Sequence, residues 1–182
     1  MTPSHQRPLF TFALSQVGWF ACILGAANGL PWLGPLIVAL LALHFIQSAT
    51  DRPRAALRLL AVAVIGLVTD SLLMVSGVLI FPEAVQIMPA LPGPPVWMVA
   101  LWVGFGTTLG GALRALRMRW LGSVLVGAVF GALGYRAGVA LGAAELGAPI
   151  PWSLGCVALA WGVVLPLMLQ LDARLEPSTS TP

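Results

Sequence analysis

Asp70 lies near the middle of Leu59–Phe81, LLAVAVIGLVTDSLLMVSGVLIF, an apolar run long enough to cross a bilayer. A spanning helix needs about 20 apolar residues, and a charge at its centre costs roughly 2.5–3.5 kcal/mol on insertion scales. The carboxyl must therefore be paired, protonated or wetted inside a bundle. Thr69 and Ser71 flank it and make the centre of this run unusually polar. At about 100° per residue, Asp70 shares a face with Gly66 and Gly77, which directs it toward neighbouring helices. Two readings stand side by side: a site for a proton, an ion or a solute, and a structural carboxyl satisfied by its neighbours.

Arg136 is the other charge within an apolar run. Counted from the basic ends of their runs, Asp70 and Arg136 reach similar depths, so a pair between them is geometrically allowed, with Tyr135 adding a hydroxyl at that level. Arg136 also points about 180° from the glycine stripe of its own helix, which would let it face lipid and snorkel. Gln16, His44, Thr107 and Thr108 map to the inner half of their runs and form a candidate inner vestibule. Glu83 and Glu145 fall in outer loops, where solvation is the expectation. His44 has no second His or Cys at ligand spacing, so no metal site is expected. The chain carries no P-loop, no zinc-protease helix motif and no Gly-x-Ser-x-Gly, and no paired carboxylates or Ser/His couple at one depth. No catalytic residue and no cofactor are therefore expected, and the chain does not read as an enzyme. Cys22 and Cys156 sit singly in apolar runs and read as packing residues.

The elements that must position these groups are membrane helices. Hydrophobic residues make up 59% of the 182 and charged residues 8%, against about 25% charged in a soluble domain. The net charge of +3 comes without a basic patch interleaved with aromatics, which argues against nucleic acid. Six runs are legible, at about 9–27, 31–49, 57–81, 96–113, 120–141 and 152–171. They predict an all-α, polytopic six-helix bundle as one membrane domain, with a polar tail from Asp172 to Pro182 expected to be disordered. The first run is too long for the apolar core of a signal peptide and reads as a span. The connection from Pro82 to Pro95 holds five prolines and excludes a regular helix.

Arginine fixes the orientation. Arg7, Arg52, Arg54, Arg58, Arg114, Arg117, Arg119 and Arg174 fall on one side of this arrangement, while the connections on the other side hold no Lys or Arg. Eight against none predicts cytoplasmic termini. The three inward-running helices share a start device, Pro31-Trp32, Pro95-Val96-Trp97 and Pro151-Trp152. Proline suits the first helical turn and tryptophan the headgroup level. In the fifth run Gly127, Gly131, Gly134, Gly138 and Gly142 recur every three or four residues, which predicts a close helix–helix seam.

The chain resembles bacterial inner-membrane proteins grouped as domain of unknown function 2878. The motifs that carry the likeness are Gln16-x-x-Trp19-Phe20 with Gly25, Gly66-x-x-x-Asp70-Ser71-Leu72-Leu73 with Gly77 and Phe81-Pro82, Pro95-x-Trp97 with Leu101-Trp102, Thr107-Thr108-Leu109, and Gly127-Ala128 with Gly131, Tyr135, Ala137-Gly138 and Leu141-Gly142. Where the family pattern has proline after Gly131 and a His-Ser pair after Leu109, this chain has Ala132 and Gly110-Gly111. The resemblance implies a multi-pass protein of the bacterial inner membrane, associated with loci for membrane-lipid modification. In length and topology the chain is also similar to the six-helix substrate-binding subunits of energy-coupling-factor transporters. The leading expectation is binding or transport of a small or lipid-like solute through a polar centre at Asp70, with a cavity between the third and fifth helices. The alternative is a structural partner of a lipid-modifying enzyme or other membrane complex, with filled seams. The bilayer is the first partner on either reading, and a membrane-protein partner or a second copy of the chain the next.

Overall fold

The computed structural model describes residues 8–82, 85–88 and 91–176. Expectations that rest on Arg7, Glu83 and residues 177–182 of the tail lie outside the described residues. Six α-helices carry the fold: α1 (Pro8–Ala27), α2 (Leu33–Ser48), α3 (Arg52–Val75), α4 (Val96–Gly106), α5 (Trp120–Ala140) and α6 (Ile150–Leu175). Four of them, α1, α3, α5 and α6, are long and apolar enough to span a membrane.

Large apolar side chains are exposed along the helices while Asp70, Ser71, Thr69 and Ser123 are buried, the reverse of a water-soluble domain. On α3, Leu60, Val64, Val68 and Leu72 form an exposed stripe at four-residue spacing, while Leu59, Val62, Gly66, Asp70 and Leu73 are buried. That is the pattern of a helix whose outer face meets lipid and whose inner face meets protein.

The helix ends have local causes. Asp51 caps α3 by accepting from the Arg54 backbone N–H at 3.0 Å, which starts the helix five residues before the expected position 57. The same helix stops at Val75 rather than Phe81. Gly77 takes φ +70°, and the Val78 N–H returns to the Leu73 carbonyl at 2.9 Å, an ending that needs the left-handed region. Gly29 and Gly142 end α1 and α5 in the same conformation. Gly142 is thus a terminator and not part of the seam.

The proline-rich connection forms short strands, as a region unable to form a helix must if its backbone groups are to pair. β1 (Leu79–Ile80) pairs antiparallel with β4 (Glu145–Leu146), and β2 (Val85–Met88) with β3 (Leu91–Gly93). β1–β4 ties the α3–α4 connection to the α5–α6 connection. α4 is shorter than the expected 96–113: it ends at Gly106 and continues as turns into a 3-10 turn at Arg114–Leu116.

Of the three tryptophans expected at the headgroup level, Trp32 and Trp152 are exposed, but Trp97 is buried edge-on against Phe81, 5.5 Å between ring centres. α6 also runs four residues past the expected end at Leu171. Asp172 is buried and ion-paired, so the polar residues there finish a helix instead of opening a tail.

Packing divides the bundle. α1, α2, α3 and α4 contact one another in a group, α5 packs chiefly on α6, and α3 joins the two groups through α6. Small residues permit the close contacts. A Cβ at Gly34 would overlap Cys22 of α1, one at Gly66 would overlap the Trp102 ring, and ones at Gly127 and Gly131 would overlap Trp161.

Candidate functional site

Asp70 is completely buried, and both its oxygens accept a hydrogen bond. Trp102 Nε1 of α4 donates to Oδ2 at 2.6 Å, and the Tyr135 hydroxyl of α5 donates to Oδ1. The Trp102 ring fits because Gly66, one turn before Asp70, has no side chain. Trp102 then stacks on Trp161 of α6, 4.6 Å between centres and 14° from parallel. Trp161 also meets Phe105 and Tyr135 edge-on, at 5.3 and 6.4 Å. One carboxyl thereby fixes aromatic rings from three other helices.

Of the two readings of Arg136, a pair with Asp70 and a side chain facing outward, the structure has the second. Among the described residues Asp70 has no ion pair, and Arg136 is exposed on the outer face of α5. Two neutral donors satisfy the carboxyl, so it needs no cation. Thr69 turns inward on its own helix, donating to the Ile65 carbonyl at 2.7 Å, and Ser71 Oγ is buried without a partner. Neither touches the carboxyl through a hydrogen bond.

A cavity of about 670 Å³ lies beside this centre. Its walls come from α1, α4, α5 and α6, and it is overwhelmingly apolar. It is not the expected cavity between α3 and α5. Asp70 does not line it, but both residues that hold Asp70, Trp102 and Tyr135, do. The candidate vestibule divides in two. Gln16 and Thr108 line the large cavity, whereas His44 and Thr107 line a separate crevice of about 20 Å³, room for roughly one water. The glycine stripe divides as well: Gly127 and Gly131 pack on Trp161, Gly138 approaches Ile23 of α1, and Gly134 opens into the cavity with nothing within 4 Å of a Cβ.

A family model described as "Protein of unknown function (DUF2878)" matches residues 8–167. The chain belongs to that family. No curated protein and no solved structure matches it. The matched span of this DUF2878 chain includes Gly66, Asp70, Trp102, Tyr135 and Trp161, every member of the buried centre.

A second polar cluster of the DUF2878 chain was hidden in the sequence. Asp172 is 2% exposed and lies between Arg58 of α3 and Arg117, just past the 3-10 turn, in ion-pair contact with both. Arg117 Nη1 also donates to Glu176 at 2.6 Å, and Arg114 stands 3.6 Å from the same carboxylate. The available signal was Asp172 and Glu176 at i, i+4, which puts two acids on one helix face. Burial alone would lower the Arg117 pKa, but the bonds to Glu176 and Asp172 outweigh it and raise it. For Glu176, partial burial pushes up, yet the Arg117 hydrogen bond and the charges of Arg117, Arg114 and Arg58 bring it below its ordinary value.

Two outcomes follow from these geometries. Asp70→Leu leaves the Trp102 N–H and the Tyr135 hydroxyl without their acceptor, and Tyr135→Phe leaves one acceptor unpaired. Each should cost about 1–3 kcal/mol in unfolding of the purified protein. The double substitution should cost less than their sum, because the hydroxyl that the first change leaves unpaired is removed by the second. Strict additivity would contradict the hydrogen bond.

Glu176, with its folded pKa depressed, contributes stability above its ordinary 4.5 that is lost as pH falls through the lower folded value. Melting temperatures of Glu176→Gln and wild type should therefore differ at pH 7 and draw together as pH falls below 4.5 and through the depressed folded value.

Proposed function

We propose that this protein is a six-span protein of the bacterial inner membrane, termini cytoplasmic, that binds or carries a small or lipid-like solute in the cavity between α1, α4, α5 and α6. The observation that carries the reading is that cavity, about 670 Å³, within the 300–1,000 Å³ typical of ligand sites. Asp70 enters as a positioning residue: it holds Trp102 and Tyr135, which form part of the wall. The alternative of a scaffold with filled seams has no such feature to support it.

Six spans are supported by the way the short helices are joined. α4 alone is about 17 Å long. The turns that follow bring Arg117 to Asp172, where Arg58 at the start of α3 also arrives. α4 with its turns thus runs the length of α3 in the opposite direction. The arginine count then assigns this end to the cytoplasm.

The cavity reading is tested by Gly134→Phe, which places a ring at a cavity-lining position where a Cβ meets nothing within 4 Å. An apolar solvatochromic dye should show a saturable site in the wild-type protein in nanodiscs, reduced at least tenfold by Gly134→Phe at an unchanged or higher melting temperature. Equal dye binding by both proteins would defeat the reading.

The orientation is tested by single cysteines in a background free of Cys22 and Cys156. Glu145→Cys should react with a membrane-impermeant thiol reagent on intact spheroplasts, and Met118→Cys, 93% exposed, only after lysis. The opposite pattern would invert the topology.

A further inference from the structure

The cavity lining separates into an apolar body and one polar corner. Among the described residues that line it there is no Asp, Glu, Lys, Arg or His. An occupant that brought an unpaired charge inside would lose its hydration with nothing in return, a cost of several kcal/mol or more. The aromatic polar atoms nearest the centre are already committed: Trp102 Nε1 and the Tyr135 hydroxyl both donate to Asp70.

The other polar groups are the indole N–H donors of Trp19, Trp97 and Trp161, of which Trp161 Nε1 is buried without a partner, and Ser15, Gln16 and Thr108, which lie together toward the arginine-rich end. Ser15 Oγ donates to the Phe12 carbonyl and Thr108 Oγ1 to the Phe105 carbonyl, each at 2.7 Å. Their protons are used and only their lone pairs remain. The Gln16 amide is different. It makes no hydrogen bond to any described residue, and it presents both a donor and an acceptor.

Access is lateral. α1 and α5 approach each other where Gly138 meets Ile23, with a Cβ at Gly138 falling 3.4 Å from Cδ1. Toward the arginine-rich end they form opposite walls, with Phe12 of α1 and Phe130 of α5 both lining the cavity and exposed on the apolar exterior. The α1 wall from Phe12 to Ile23 spans about 16 Å, roughly half the thickness of the hydrocarbon layer.

We infer that the cavity takes an uncharged amphiphile from the bilayer: an apolar chain ending in a hydroxyl, ester or amide group, with that end hydrogen-bonded to Gln16 and the chain running along Trp102 and Tyr135 toward Ile23. This rests on the reading of the cavity as a binding site and adds the ligand class to it. Where that end carries an O–H or N–H, Ser15 and Thr108 accept from it. The part of the occupant within the cavity carries no charge, because no residue there would balance one.

The test uses two single-chain lipids with the same oleoyl chain, monooleoylglycerol and oleoyl lysophosphatidic acid, titrated into the purified full-length protein and read by native mass spectrometry. Monooleoylglycerol should bind with one-to-one stoichiometry, at least tenfold tighter than the lysophosphatidic acid. Gln16→Leu should weaken monooleoylglycerol at least fivefold while leaving the melting temperature and the affinity for the apolar dye unchanged. Equal affinity for the two lipids, or full monooleoylglycerol affinity in Gln16→Leu, would overturn the assigned ligand class while dye binding still reported a working cavity. If Gly134→Phe bound monooleoylglycerol and dye as the wild type does, the cavity itself would be the wrong site.

Discussion

A carboxyl group with no access to water must have each oxygen answered by a donor, and the middle of this bundle is built to meet that demand at Asp70. The two donors come from α4 and α5, so satisfying one side chain of α3 fixes two other helices in depth and rotation. Neither donor is charged. A cation in their place would bring a second buried charge with its own desolvation cost, which pairing recovers only in favourable geometry. Indole and phenol donors avoid that cost and add ring surface, which here stacks on Trp161 and draws in α6.

That solution places heavy demands on neighbouring positions. A tryptophan can reach a carboxyl on the facing helix only if the turn beside that carboxyl is bare, and Gly66 supplies the space. Gly131 does the same for Trp161. These glycines act as sockets for large rings more than as rails for backbone contact. Small residues in lipid-facing bundles are commonly read as sites of close helix approach. In this chain the same residue type serves bulky partners, and the helices are held apart enough to leave a cavity.

Much of the helical frame was legible because it follows from hydropathy alone. The all-α class, the six runs, and a buried polar group at Asp70 all come from the cost of charge and open backbone in an apolar medium. The partners of Asp70 were not legible. Depth counting allowed Arg136 as a partner, yet Arg136 and Tyr135 are adjacent on a helix and so point about 100° apart; only one of them could face α3, and it is Tyr135. Trp102 gave no signal because an indole in an apolar run looks like filler. The Asp172 cluster was obscured for another reason. Arginines gathered at one end are fully explained by topology, so nothing in their spacing asked for acidic partners, and Asp172 looked like the first residue of a tail. Gly66, one helical turn before Asp70 on the same face, pointed to a close neighbour there but not to an indole.

The cavity owes its persistence to how the two halves of the bundle are tied. At one end Arg58 and Arg117 grip Asp172. In the middle the Asp70 centre joins α3, α4 and α5, and the β1–β4 pair closes the other end. Between these ties the α1–α4 wall and the α5–α6 wall are held apart. Were such a space closed and empty, the mutational cost of about 24 cal/mol per Å³ would put 670 Å³ near 16 kcal/mol, as large as the whole stability of an ordinary domain. A bundle in lipid escapes that penalty, because hydrocarbon chains fill an apolar gap as well as side chains do and no solvent force drives the walls together. The ties can therefore fix the shape of the gap without having to resist its collapse.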